Sequence, residues 1–235
     1  MRVNWKTYNS GKFYDEIISS PGYARKPARG LASYLRSLTH EELLQKKTAA
    51  ELAIKTMGIS FTVYSDGENI DREWPFDIIP RVIAEKEWNH TSLGLKQRLR
   101  ALNCFIHDVY NDQKIFKDKL IPKELILNSG NFRKECVGIK PRFDTWAHIC
   151  GTDLIRDHTG EFFVLEDNLR VPSGVSYMLE NRRVTKRVFP ELFENYNIQP
   201  VTEYPDQLFD MLSAISPEPK EFPEIVVLTP GVYNS

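Results

Sequence analysis

One stretch of the chain sets more conditions on the fold than any other: residues 153–174, DLIRDHTGEFFVLEDNLRVPSG. Apolar and polar residues alternate on both sides of Thr159-Gly160, as they do in two antiparallel strands that bury one face. A two-residue turn at Thr159-Gly160 suits the positive φ that such turns need, and it sets Asp153 directly opposite Glu166. Side chains alternate along a strand, so Asn168 shares the face of Glu166 while Asp167 drops to the other. Three oxygen-donor side chains then converge on one patch.

Two carboxylates facing each other repel unless a cation lies between them. Oxygen ligands suit a hard ion, and Mg²⁺ prefers one or two carboxylates plus substrate phosphates to a complete protein cage, which makes Asp153, Glu166 and Asn168 candidate ligands. Arg156 and Arg170 are candidates for forked hydrogen bonds to phosphate or carboxylate oxygens. Pro172-Ser173-Gly174 is a candidate for offering backbone N–H groups to an anion. The competing reading is a solvated hairpin whose acids and arginines form surface ion pairs worth about 0–1 kcal/mol each.

Composition narrows the function classes. The 31 Lys and Arg nearly cancel the 32 Asp and Glu, and the basic residues are scattered rather than gathered in a stripe with aromatics, which argues against a nucleic-acid partner. No apolar run approaches the ~20 residues that span a bilayer, and the N-terminus has no apolar signal region, so a cytoplasmic protein without a membrane partner is expected. The three cysteines, Cys104, Cys136 and Cys150, are far apart and never in a C-x-x-C spacing. Small buried hydrophobes are their expected role. His148 lies five residues before Asp153, either pointing towards the site or satisfied in the core or at a strand edge; the other histidines show no metal spacing.

Along the chain, residues 1–30 read as an irregular arm rich in Gly, Pro and Tyr, followed by two helices. Thr39 and Glu42 form a capping box and Gly58 supplies a stop, which predicts a helix over 40–57. ISFTVYSDG (59–67) reads as a strand leading to a loop that holds DREWPFDIIPR. Residues 91–111 place Leu95, Leu99, Leu102, Phe105, Ile106 and Val109 on one helical face, with Thr91 as cap. Residues 175–197 read as helix interrupted at Pro190. EIVVLTPGVYNS at the end reads as a buried β-run handing over to a helix.

The segments GTDLIRD and FFVLEDNLRVPSGVSYMLENR resemble those of circularly permuted ATP-grasp proteins of type 2, a group often labelled glutathionylspermidine-synthase-like. FTVY at 61–64, PFDIIPR at 75–81, GLKQRLRALN at 94–103 and VLTPGVYNS add to the resemblance, which runs from about residue 13 onward. It implies an ATP-dependent ligase that joins a carboxylate to an amine (or thiol) through an acyl phosphate, with small-molecule or peptide substrates. The family's Mg²⁺ ligands are an Asp, a Glu and an Asn two places after the Glu, matched here by Asp153, Glu166 and Asn168. The resemblance also implies a catalytic role for Arg170 near the phosphates or the acyl phosphate, and a place for Pro172-Ser173-Gly174 near the substrate carboxylate. Arg81, Gln97, Arg98 and Asn181 lie in shared motifs and stay open between packing and substrate roles.

The implied fold is mixed α+β and α/β. An ATP-grasp-like antiparallel sheet with packed helices spans residues 31–200 after the arm of 1–30. Residues 201–235 begin a Rossmann-like (pre-ATP-grasp) parallel sheet. In the family's permuted order the adenine-binding lysines and the K-P…G-G-x-G phosphate loop come late, and residues 1–235 contain nothing like them. The expectation is a metal-binding wall completed by a further, C-terminal half, in the same or in a separate polypeptide. The alternative is a non-catalytic module of the same fold that docks a partner protein, and phosphoryl transfer to another acceptor stays open as well.

Overall fold

A computed structural model describes residues 4–65, 68–217 and 222–228, with 60–73 described by backbone alone. The chain divides into two compact units. One combines Met1–Ala84 with Gly174–Ser235, and the other is the contiguous stretch Glu85–Ser173.

In the first unit, the arm of 1–30 holds a small hairpin, β1 (Ile18–Ser20) against β2 (Tyr23–Ala24). Asp15 anchors it by accepting from Ile17 N–H, Ile18 N–H and the Tyr8 hydroxyl. Burial opposes ionisation of Asp15, yet these bonds and the nearby Arg25 charge hold its carboxyl below the ordinary value. Helix α1 (Arg29–Ser37) buries Leu31, Ala32 and Leu35. Helix α2 (His40–Thr56) begins at the expected capping box: Thr39 Oγ1 accepts from Glu42 N–H, and Glu42 Oε2 accepts from Thr39 N–H. Gly58, at φ 66°, ends it. Strand β3 (Ser60–Ser65) then pairs antiparallel with β4 (Glu68–Glu73). The second strand replaces part of the expected loop, and Asp66-Gly67, where a Gly turn is expected, lies outside the described residues.

The second unit is built on one long helix, α3 (Glu85–Tyr110). It starts six residues before the expected Thr91 cap because Glu85 and Glu87 occupy the first turn, where acidic side chains suit the positive helix end. The predicted stripe faces inward, with Val109 buried and Leu95, Leu99, Leu102, Phe105 and Ile106 partly so. After the short helices α4 (Lys114–Lys117) and α5 (Lys123–Leu127), Tyr110 stacks between Phe132 and Trp146 at centroid distances of 5.1 and 4.9 Å. Strands β5 (Gly151–Arg156) and β6 (Phe162–Asn168) form the predicted hairpin.

The first unit resumes with α6 (Val175–Val188) and α7 (Pro190–Asn195), broken at Pro190 as expected, and α8 (Tyr204–Ala214). Its core gathers Leu31, Leu35, Ala50, Ile54, Val184, Val188, Phe189 and Leu192. The Tyr34 hydroxyl donates to Glu191 (2.9 Å), and burial together with that carboxylate pushes its pKa up.

Every strand pair described is a two-stranded antiparallel hairpin, in keeping with an α+β fold. The expected C-terminal β-run is not formed over its described part: residues 222–228 are irregular, and Val226, Val227 and Leu228 are exposed. An apolar strand of that kind needs sheet neighbours on both sides, and none of the three hairpins pairs with it. Its remainder, 229–235, lies outside the described residues. No helix among the described residues is long and apolar enough to cross a membrane.

Candidate metal and nucleotide site

The hairpin closes differently from the expected two-residue turn. Arg156 pairs with Phe162 at the last rung, and the loop runs from Asp157 to Glu161, with Asp157 N–H donating to Glu161 O (3.0 Å) and Gly160 at φ 96°. The cause is the Asp157 side chain. Its Oδ1 accepts from Thr159 Oγ1 (2.7 Å) and from the N–H groups of Thr159, Gly160 and Glu161 (2.9–3.0 Å). These bonds hold the Asp157 carboxyl below its ordinary value, the Thr159 hydroxyl contributing most.

A shift of one residue at the turn would ordinarily send every later side chain to the wrong face. Here Leu154 pairs with Val164 but Asp153 pairs with Glu166, so Leu165 is an extra residue on β6, a β-bulge. The bulge cancels the turn's offset. Asp153 stands opposite Glu166, Thr152 opposite Asp167 and Gly151 opposite Asn168, the pairing expected from the sequence. Asp153, Glu166 and Asn168 are all exposed on the front face, and Asn168 Nδ2 donates to Glu166 Oε1 at 3.0 Å. The Asp153 carboxylate has no hydrogen bond or ion pair among the described residues.

The back face is occupied. Asp167, 7% exposed, accepts from Thr152 Oγ1 (2.9 Å) and from Arg98 Nε of α3 (2.6 Å). Arg156 also lies there, 4% exposed, against Glu87 of α3 (2.6 Å), Gly160 O (3.0 Å) and the Phe162 ring. The geometry therefore turns Arg156 away from the carboxylates it was expected to accompany, since strand alternation separates residues 153 and 156. Arg170, two residues beyond Asn168, is exposed and donates to Asn131 Oδ1 at 3.4 Å. Pro172 closes back over the hairpin end: a Cβ on Gly151 would meet its Cβ at 3.1 Å. Ser173 is exposed, and Gly174, at φ 98°, is the N-cap residue of α6.

The shared motif of 94–103 proves to hold the hairpin in place. Asn103 Oδ1 accepts from the N–H groups of Trp146 and Ala147 (2.7 and 2.9 Å) just ahead of β5, and Arg98 holds Asp167. Gln97 is exposed. Arg81 and Asn181 belong to the first unit and have their structural partners within it, Glu16 and the Trp74 indole N–H. Glu87 and Thr152 escaped the sequence reading: Glu87 lies in no motif, and Thr152 shows its role only once its partner across the strands is known. Cys104 is exposed and Cys136 and Cys150 half-buried, so the cysteines are less buried than expected. His148 is exposed in the irregular segment before β5.

Among the described residues no group of three or more His, Cys, Asp or Glu gathers to hold a metal. The front face offers two carboxylates and an amide, a partial oxygen set.

The circularly permuted ATP-grasp type 2 family model matches residues 80–235, and the chain belongs to that family. An uncharacterised protein of Synechocystis sp. is 48% identical over 230 residues, 98% of this chain and 48% of the relative. An uncharacterised protein of Mycobacterium tuberculosis is 40% identical over 232 residues, 97% of this chain and 41% of its own. A Frankia alni protein named "Putative glutamate--cysteine ligase 2-3" is 36% identical over 224 residues, 94% of this chain and 26% of its own. The chain spans about half the length of the Synechocystis relative and less of the others.

Proposed function

We propose that the chain supplies the metal- and nucleotide-binding wall of an ATP-dependent ligase that joins a carboxylate to an amine or thiol through an acyl phosphate. Family membership and the ligase name of the Frankia alni relative support an ATP-dependent ligase. The observation that carries the finer reading is the front face: Asp153 and Glu166, exposed and directly opposed, with Asn168 bonded to Glu166.

The residues fit Mg²⁺. Two carboxylates supply charge, and Asn168, by donating its amide N–H to Glu166, keeps its own Oδ1 for the ion while fixing the glutamate. The set is too small for a closed cage, which suits an ion that takes its other ligands from phosphates and water. An Mg²⁺ held by Asp153, Glu166 and Asn168 would supply positive charge to offset the phosphates and polarise the phosphoryl group to be transferred. Arg170 faces the same task with an exposed guanidinium, and within Pro172-Ser173-Gly174 the backbone N–H groups of Ser173 and Gly174 are offered to phosphate or to the substrate carboxylate. Arg156, committed to Glu87, is left out of the set.

Isothermal titration with Mg²⁺ and a non-hydrolysable ATP analogue tests the wall. Heat is expected for the chain, and Glu166→Ala is expected to weaken binding at least about tenfold; equal heat from both proteins overturns the assignment. With a polypeptide that carries the family's lysines and Gly-rich loop added, ADP release should appear and vanish in Glu166→Ala.

A second reading keeps the fold but not the chemistry. Ile155 and Phe163, each 49% exposed, and Leu165, 65% exposed, lie by the carboxylates and would suit a docked protein. No nucleotide heat, even with the complementing polypeptide present, decides for that reading.

A further inference from the structure

Two registers are geometrically open to the β5–β6 hairpin, and the structure adopts the bulged one. The turn starts the ladder in one of them, with Arg156 opposite Phe162, and without the Leu165 bulge that register would continue and set Asp153 opposite Leu165. Glu166 would then face Thr152, and Asp167 would come to the front while Glu166 and Asn168 went to the back. The ligand set therefore exists only in the bulged register, and something must favour it.

The back face supplies that preference. Asp167 lies between Glu166 and Asn168 in the chain, and Thr152 lies beside Asp153. Their side chains meet across the strands at 2.9 Å only in the bulged register. Arg98 Nε, 2.6 Å from Asp167 Oδ2, then ties this pair to α3, an element outside the hairpin whose position does not follow the strand register. In the slipped register Asp167 would face away from Arg98 and leave a guanidinium without its carboxylate.

We propose that Arg98 is a positioning residue, a register lock that acts through Asp167 and Thr152 to hold Asp153, Glu166 and Asn168 on one face. Its part in metal binding rests on the proposed function, whereas the lock itself is a property of the hairpin. A helix residue of a motif remote in sequence thereby determines which carboxylates face the ligand.

Hydrogen exchange of the whole chain tests the lock without any metal. Arg98→Ala should speed exchange at 151–153 and 166–168 by about tenfold or more, while amides beside the turn, 154–156 and 162–164, change by less than about twofold. Deleting Leu165 removes the bulge and makes the turn's own register carry Asp153 opposite Glu166. In that background Arg98→Ala should lose its effect on exchange. Equal acceleration in both backgrounds, or none in either, overturns the proposal, because Arg98 would then only dock the hairpin or do nothing. Arg98→Lys should restore part of the protection.

Mn²⁺ binding followed by electron paramagnetic resonance separates this from the reading it rests on. If the unaltered chain binds Mn²⁺, Arg98→Ala should weaken that binding about 10- to 100-fold, as loss of an outer support does; undiminished binding refutes the lock's part in the site. A chain that binds no Mn²⁺ yet shows the exchange pattern refutes the metal assignment and upholds the lock.

Discussion

Val171 carries backbone strain three residues after Asn168. It is β-branched, 83% exposed and at φ 49°, a left-handed conformation that such residues rarely adopt. Strain of this kind costs about 1–3 kcal/mol and persists where the surroundings over-determine the backbone, here between Arg170 and the Pro172 that closes on Gly151. Val171→Gly should relieve it and raise chain stability by up to about 1 kcal/mol in urea denaturation, the gain reduced by glycine's greater freedom when unfolded. Asp157 sets a pH dependence. Its folded pKa lies below the ordinary 3.8, so the turn's stabilisation is present above that pH and is lost as pH falls through the folded value. Carboxyl-carbon NMR should find Asp157 titrating below 3.8. Asp157→Asn should remove that titration and loosen the loop at neutral pH. Neither residue stood out in the sequence. Thr159-Gly160 imitates a two-residue turn, and only the four bonds to Asp157 explain the longer loop.

Elements were legible where local chemistry decides them. Helix α2 came from Thr39, Glu42 and Gly58 alone, because a capping box and a left-handed stop are satisfied within one turn of chain. Thr39→Ala should therefore destabilise the chain by about 1 kcal/mol, read as a lower denaturation midpoint with the slope unchanged. Pro190 likewise broke its helix where expected. Strand β4 was missed because ENIDRE is charged, and its pairing with β3 is a tertiary fact. The apolar run at 224–228 is irregular here for the opposite reason: hydrophobicity makes a strand only where neighbours exist to pair with it and cover it. At the candidate site, alternation assigned Asp153, Glu166 and Asn168 to one face and Asp167 to the other. The turn was off by one residue and the bulge by one the other way. No pattern in FFVLEDN announces a bulge at Leu165, since its cause lies across the strands and on α3.

On the scale of the whole molecule, the two units differ in how the chain must be gathered to make them. Glu85–Ser173 is contiguous, whereas the other unit joins Met1–Ala84 to Gly174–Ser235. Its core brings Leu35 and Ile54 against Val184 and Phe189, so the intervening unit forms one loop that must close first. Loop closure on that scale costs entropy before any contact repays it, and non-local contacts slow folding. The contiguous unit, whose α3 and β5–β6 hairpin meet through Arg98–Asp167 and Glu87–Arg156, carries no such delay. Pulse-labelled hydrogen exchange during refolding should protect amides of α3, β5 and β6 before those of α6 and α7. Phe189, fully buried and edge-on to Tyr34, probes the slower step. Phe189→Ala should cost about 3–5 kcal/mol. The late protection of α6 should fall with it, while the early phase at β5 and β6 keeps its rate. Simultaneous protection of both units, or an early phase slowed by Phe189→Ala, would show that the discontinuous core forms first and that topology does not order the folding of this chain.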